Sequence, residues 1–257
     1  MYKYLLWALK IGAVLNIYFL FTTYQLIPHQ INNSVLVPSI IFFIVSIYRC
    51  LFPVSYATYA VLHDTIFSSV FITRLLATFS EIAYIYLFSY LIRLINNQQL
   101  QFIDAISYIM VVQVTLSQIF VWLAILTERM KLYVYEEIGW EIIFLINTLL
   151  SITLLIKLNL IPVHKYLLYL NIIFGLFYLP WQLFHLRYLY KRSIEQQVLS
   201  SHKFNKIIFQ GLNKALFLRR HTTDGLHWGG SIGYFWMFSY WASIIPLWIF
   251  IIVKYSI

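Results

Sequence analysis

Two ionisable residues stand inside the apolar stretch Val61–Arg93 and are the first candidates for chemistry in this sequence. Arg74, Thr78 and Glu81 are spaced four and three residues apart, which places them on one stripe of a helix. Because an ionised group in hydrocarbon is costly, each charge requires a polar partner or a hydrated cavity. Seven residues of helix rise about 10 Å, which is long for a direct Arg74–Glu81 ion pair. We therefore expect each group to meet a partner on another helix.

The expected partners lie in two later apolar stretches, and we group them with the first stretch as ligand-binding residues. Glu137 and Glu141 are one helical turn apart, and Gln182 and His185 share a stripe of the later stretch. Carboxylates are favoured in the first turn of a helix, so Glu136 and Glu137 could be ordinary helix-start residues. Glu141 lies a turn deeper, and we expect it to have a specific polar partner.

His63 and Asp64, at the entrance of the first stretch, are the candidate acid–base residues. The seven histidines form no HExxH or HxxxH box, and Cys50 is the only cysteine. The sequence therefore contains no metal-binding motif and no cysteine pair for a disulfide. No GxSxG nucleophile motif is present. No feature of the sequence identifies a cofactor.

The composition indicates that most of the chain lies in a lipid bilayer and not in water. Of its 257 residues, 61% are hydrophobic and 11% are charged, whereas about a quarter of a soluble domain is charged. Apolar runs of about twenty residues follow one another, which is the length that crosses a bilayer as a helix. The formal charge of +9 could suggest nucleic acid, but the basic residues lie in connections between apolar runs. A membrane surface, and not nucleic acid, is therefore the expected partner.

The predicted fold class is all-α: a polytopic transmembrane helix bundle of about seven spans, forming a single transmembrane domain over residues 1–257. A closed barrel would instead show alternating segments of about ten residues. The predicted spans are Tyr4–Leu26, Val35–Phe52, Ile66–Ile95, Phe102–Thr127, Ile138–Ile156, Tyr166–Leu189 and Ser231–Val253.

Lysine and arginine are distributed unequally between the two sides of this topology. With seven spans, twelve of them fall on the side of the N-terminus and four on the other side. The positive-inside rule then predicts a cytoplasmic N-terminus and an external C-terminus, in an inner or plasma membrane.

The one long connection, residues 190–230, is expected to be cytoplasmic and to contain an amphipathic helix at residues 203–220. A basic rim on such a helix favours anionic lipids, so we predict an interfacial helix. A solvated loop whose apolar residues pack on the bundle is the alternative. The apolar face of the predicted helix comprises Phe204, Ile207, Ile208, Leu212, Ala215 and Leu218.

Four stretches resemble a group of bacterial-type multispan membrane proteins with no assigned activity. They are RCLFP at Arg49–Pro53, HDTIFSSVFITRLLATFSE at His63–Glu81, EEIGW at Glu136–Trp140, and the aromatic last span. The resemblance implies that the third and fifth spans are both important for the same property of the protein. It implies no activity.

Three functions are compatible with this pattern. The leading hypothesis is a cytoplasm-facing polar cavity that binds a small or lipid-like ligand for transport or sensing, with Arg74 holding an anionic group. The second is an enzyme acting on a lipid or quinone. Its acid–base groups would be His63, Asp64, Glu81, Glu137 and His185. The third is a structural or assembly subunit that binds a membrane-protein partner.

Overall fold

Seven helices of the computed structural model are long and apolar enough to cross a membrane, within the described residues 2–26, 32–197 and 204–255. The protein is therefore an all-α integral membrane protein with seven candidate spans. A helix satisfies its backbone hydrogen bonds internally, which is why continuously apolar sequence takes this form in lipid. Residues 198–203 of the long connection, including Lys203, lie outside the described residues.

The helices alternate with short connections over most of the chain. They are α1 (Tyr2–Gln25), α2 (Asn33–Leu51), α3 (Val70–Asn96), α4 (Gln101–Thr127), α5 (Met130–Lys157), α6 (Pro162–Gln197), α7 (Phe204–Phe217), α8 (Gly230–Met237) and α9 (Ile244–Tyr255). A π-helical turn (Phe238–Ala242) connects α8 to α9, and together they form the seventh span. Three strands of two residues form a small sheet: β1 (Val54–Ser55), β2 (Ala60–Val61) and β3 (Arg220–His221).

Side chains are distributed as expected for a protein whose solvent is lipid. Asn16, Ser107 and Asn171 lie within candidate spans and are fully buried, whereas Ile11 and Phe177 are exposed. Small and polar residues at helix contacts permit close packing and hydrogen bonding, and large apolar side chains can face the lipid tails. Burial and hydropathy thus agree on the same helices as membrane spans.

Backbone contacts divide the chain into two compact units. Unit 1 comprises Met1–Tyr84 and Asn205–Ile257, and unit 2 comprises Ile85–Phe204. In unit 1, β1 pairs antiparallel with β2, and β2 pairs parallel with β3. The Tyr2 hydroxyl donates a hydrogen bond of 2.7 Å to the carbonyl of Gly230. The first residues of α1 and of α8 therefore lie at the same end of unit 1.

Glycines permit the closest helix contacts in each unit. In unit 1, an added Cβ at Gly12 on α1 would stand 2.2 Å from the Cβ of Ala242 in the π-helical turn. In unit 2, a Cβ at Gly175 on α6 would stand 2.0 Å from the Thr148 hydroxyl oxygen on α5. Both contacts require a residue without a side chain.

Two predicted boundaries differ from the structure in ways that affect the candidate residues. α5 begins at Met130 and not at Ile138, so Glu136 and Glu137 lie beyond the first helical turn. The interpretation of these two carboxylates as helix-start residues is therefore wrong, because the exposed amides of a helix belong to its first turn. α3 begins at Val70, after a 3₁₀ turn over Ile66–Ser68, so His63 and Asp64 precede the span on a connection.

Candidate functional site

Arg74 and Glu81 form a direct ion pair on α3 in unit 1. Arg74 Nη2 lies 2.7 Å from Glu81 Oε2, and Arg74 Nη1 lies 3.1 Å from Glu81 Oε1. The two residues are 2% and 6% exposed. The expectation that each group meets a partner on another helix instead of the other is wrong, because the two long side chains extend toward each other along one helix face. Thr78, on the same stripe, donates its hydroxyl to the Arg74 carbonyl at 3.0 Å.

A second arginine, Arg49 at the end of α2, lies among aromatic rings in the same unit. Its guanidinium carbon is 4.9 Å from the ring centroid of Tyr56 and 4.9 Å from that of Trp241. Arg49 Nη1 donates a hydrogen bond of 2.7 Å to the Tyr56 hydroxyl. Arg49 is 7% exposed, and its Nε has no hydrogen-bond partner within the described residues.

Tyr56 contacts both guanidinium groups, so the two arginines belong to one cluster. The Arg74 guanidinium carbon lies 5.7 Å from the same Tyr56 ring. We call Arg49, Tyr56, Arg74, Glu81 and Trp241 the arginine cluster. It contains two guanidinium groups and one carboxylate, and that carboxylate is paired with Arg74. The cluster therefore carries an excess positive charge, centred on Arg49.

His63 and Asp64 have different partners, so the structure does not join them as an acid–base pair. Lys10 Nζ lies 3.0 Å from His63 Nε2, and Arg219 Nε donates to Asp64 Oδ1 at 2.9 Å. If Lys10 is an ammonium, which only donates, His63 Nε2 is the acceptor in this contact. Burial, and then the charges of Lys10 and His221, lower the pKa of His63 from its ordinary value.

The predicted residues of α5 and α6 form a separate polar cluster in unit 2. Gln182 Nε2 donates to Glu137 Oε2 at 2.6 Å and to the Glu137 carbonyl at 3.0 Å. His185 Nε2 lies 3.7 Å from Glu137 Oε1, and the His185 ring stacks on Trp181 with centroids 5.2 Å apart. The packing of α5 on α6 thus brings Glu137, Gln182 and His185 together.

Glu141 differs from its neighbour Glu137. Its Oε2 is buried and has no hydrogen-bond partner within the part of the chain that the structure describes. The polar partner that the sequence predicts for Glu141 is therefore not found at Oε2. A buried carboxylate oxygen without a hydrogen-bond donor lowers the stability of the folded protein. Glu141 therefore remains a candidate functional residue.

The predicted ligand-binding residues thus fall into two clusters, one in each unit. Arg74, Thr78 and Glu81 belong to unit 1, whereas Glu137, Glu141, Gln182 and His185 belong to unit 2. A single site containing both sets remains a prediction.

Sequence reasoning missed Arg49, which it counted only among the basic residues of the connections. One signal could have identified it: Arg49 occupies the last turn of an apolar span on the same side as the beginning of α3. Its aromatic neighbours come from the β1–β2 connection and from the π-helical turn, which are distant in sequence.

Comparison of the chain with protein-family models, with curated proteins and with solved structures gives no match. The function is therefore argued from the two clusters alone.

Proposed function

We propose that this integral membrane protein binds a small or lipid-like ligand through an anionic group, in a polar cavity that opens to the cytoplasmic side. The observation that carries the proposal is Arg49. It is buried in unit 1, and no carboxylate pairs with it within the described residues. Binding of this kind serves transport or sensing.

The hydrogen-bonding capacity of Arg49 supports an anionic ligand. A guanidinium has five N–H donors, and Arg49 makes one hydrogen bond to a side chain within the described residues. Aromatic faces stabilise the charge by about 0.5–2 kcal/mol each, but they do not replace hydrogen-bond acceptors. Each buried donor without an acceptor costs about 1–3 kcal/mol. A carboxylate or phosphate fits the planar guanidinium with two parallel hydrogen bonds and cancels the charge.

Arg49, and not Arg74, holds the ligand in this proposal. Both Nη atoms of Arg74 are bonded to the two carboxylate oxygens of Glu81. A ligand would have to displace Glu81 to reach them, leaving that carboxylate buried without its cation. The Arg74 guanidinium also lies 5.7 Å from the centroid of the Tyr56 ring, which contacts Arg49 as well.

Replacing Arg49 with glutamine should weaken binding of an anionic probe about 10–100-fold, because a hydrogen bond to a charged group contributes about 1.5–3 kcal/mol. Octanoate and octyl phosphate are suitable probes, measured by calorimetry on protein in lipid nanodiscs. Arg49→Lys retains the charge but not the planar fork, so it should lie between wild type and Arg49→Gln.

Arg93 provides a matched control, since it is a partly buried arginine over an aromatic ring in unit 2. Its guanidinium lies 4.0 Å from the Tyr108 ring centroid and donates to Ser107 Oγ at 3.0 Å. Arg93→Gln should leave probe binding unchanged. The proposal is wrong if Arg49→Gln binds both anions as tightly as wild type, or if octyltrimethylammonium binds equally well. A stoichiometric partner lost from Arg49→Gln, without any change in probe binding, would indicate an assembly subunit.

We also propose that α7 lies on an anionic membrane surface at the cytoplasmic side. Phe209 and Phe217, two turns apart, are 75% and 62% exposed, and Lys214 is exposed near them. Aromatic side chains can enter the headgroup region while a lysine extends to the lipid charge, a contribution of about 1 kcal/mol per basic residue. The outward residues differ from the predicted apolar face, since Ala215 is buried. The side chains of Phe204 and Ile207 lie outside the described residues.

A fluorescent label at Phe209→Cys, in a Cys50→Ser background, should be quenched by brominated lipid more strongly in anionic than in zwitterionic vesicles. A label at Gln210→Cys, one position further round α7, should be quenched less. Equal quenching at both positions would contradict membrane insertion of this face. A membrane-impermeant thiol reagent should reach Gln210→Cys only in inverted vesicles if the N-terminus is cytoplasmic.

A further inference from the structure

Two buried acceptor atoms on the facing helices α5 and α6, in Glu141 and Gln182, lack a hydrogen-bond donor within the described residues. Gln182 is fully buried, and both of its described bonds are made by Nε2, which leaves Oε1 without a donor. Glu141 Oε2 also lacks a donor, and Asn171 Oδ1 is a third such acceptor of unit 2 within the described residues. Glu141 and Gln182 both lie in candidate membrane spans, where water does not freely replace a missing donor.

The packing of α5 against α6 places Glu141 opposite the segment that contains Gln182. Toward one end of the contact, Gln182 bonds to Glu137, and toward the other, the ring centroids of Phe144 and Tyr178 are 4.4 Å apart. Glu141 lies between Glu137 and Phe144 on α5, so Tyr178 and Gln182 bracket its level on α6. The two orphan acceptors therefore occur at neighbouring levels of one helix pair.

We propose that unit 2 contains a proton-binding site at Glu141. The bound proton converts the Glu141 carboxylate into a neutral carboxylic acid, which removes a charge from hydrocarbon and creates an O–H donor. Gln182 Oε1 is the acceptor that this donor requires. The site is independent of the arginine cluster and of the anionic ligand proposed for it.

The neighbouring groups favour the neutral acid. From α5, the Glu137 carboxylate is a like charge one turn away from Glu141. From α6, the ionisable residues near this level are Tyr178 and His185, and His185 is directed to Glu137 at 3.7 Å. From α4, the side chains closest to the neighbouring Gly139 are Ser117 and Gln113, which are neutral. No described cation pairs with Glu141.

A bound metal cation is a weaker explanation for the same two acceptors. Hard cations take about six or more oxygen ligands, and within the described residues no group of three His, Cys, Asp or Glu side chains could hold a metal ion. A proton requires one carboxylate and one acceptor. The Glu141 carboxylate and the Gln182 carbonyl are therefore enough to bind a proton but too few to bind a hard metal cation.

Infrared difference spectroscopy of the protein in lipid tests the proposal directly. At neutral pH, wild type should show the carbonyl band of a protonated carboxylic acid, shifted in D₂O and lost at alkaline pH. Glu141→Gln should lack this band. Asp104→Asn should retain it, because the Asp104 carboxylate already accepts a hydrogen bond of 2.9 Å from Asn96.

Gln182→Leu separates a proton site from a purely structural role of Glu141. Loss of the acceptor should move the band to higher frequency without abolishing it, because the O–H loses its hydrogen bond. The proposal is overturned if wild type lacks the band at neutral pH, if Glu141→Gln retains it, or if Gln182→Leu leaves its frequency unchanged. It is also overturned if sodium at constant pH removes the band, since the site would then bind a cation.

Discussion

Replacing Arg74 with alanine should lower the free energy of unfolding by about 3–5 kcal/mol, the loss typical of breaking a buried ion pair. Glu81 would remain 6% exposed inside the protein without the two nitrogen atoms that now bond its oxygens. Glu81→Ala should be similarly harmful, because it leaves the guanidinium without its carboxylate. Reversible unfolding in mixed micelles, followed by circular dichroism, measures both losses.

An exposed ion pair of the same unit provides the matched comparison. Arg219 and Asp64 are separated by 2.9 Å, but the Asp64 side chain is 64% exposed, so Asp64→Ala should cost at most about 1 kcal/mol. The double change Arg74→Met with Glu81→Leu should cost less than either single alanine change, because neither charge is left unpaired. A double variant as unstable as the sum of the two single variants would contradict this explanation.

Gly12→Ala should destabilise unit 1, with a loss of about 1–3 kcal/mol or more. The new Cβ would stand 2.2 Å from Ala242 Cβ and 2.6 Å from Ala242 Cα. Because the Cα atom belongs to the backbone, no rotamer change relieves the clash, and α1 must move away from the π-helical turn. This movement would also strain the bond of 2.9 Å from Asn16 Nδ2 to the Trp241 carbonyl.

Gly175→Ala is the control for this prediction. Its new Cβ would meet the Thr148 side chain, with the hydroxyl oxygen at 2.0 Å, and a side chain can rotate to another staggered position. Thermal unfolding should therefore show a smaller loss for Gly175→Ala than for Gly12→Ala. Equal losses would mean that rotation of Thr148 gives no relief.

Hydropathy was sufficient to predict the all-α class and the seven spans, because each span is a continuous apolar run. It was less informative about where helices begin. α5 starts eight residues before its predicted boundary, since Glu136 and Glu137 lower the local hydropathy but remain compatible with a helix. The small sheet was not predicted, because strands of two residues contain no repeating pattern.

The candidate residues were predictable where one helix, or two sequential helices, position them. Helical spacing identified the common face of Arg74 and Glu81, although the reach of two long side chains was underestimated. Spacing placed Gln182 and His185 on one stripe of α6, and the predicted topology placed Glu137 of α5 in the same half of the membrane. Arg49 was missed because its aromatic neighbours come from a connection and from an irregular turn, whose positions depend on tertiary packing.

The π-helical turn at Phe238–Ala242 sets the rotational phase of the end of the chain. Each helical residue turns the chain by about 100°, so one residue more or fewer in this turn would rotate α9 by that angle relative to α8. The turn also presents the Trp241 carbonyl to Asn16 Nδ2 and to Cys50 Sγ, at 2.9 Å and 3.4 Å. Side chains of α1 and α2 thus bind a backbone oxygen atom of the seventh span. A change in the length of the turn would displace this oxygen and would also change which face of α9 is directed inward.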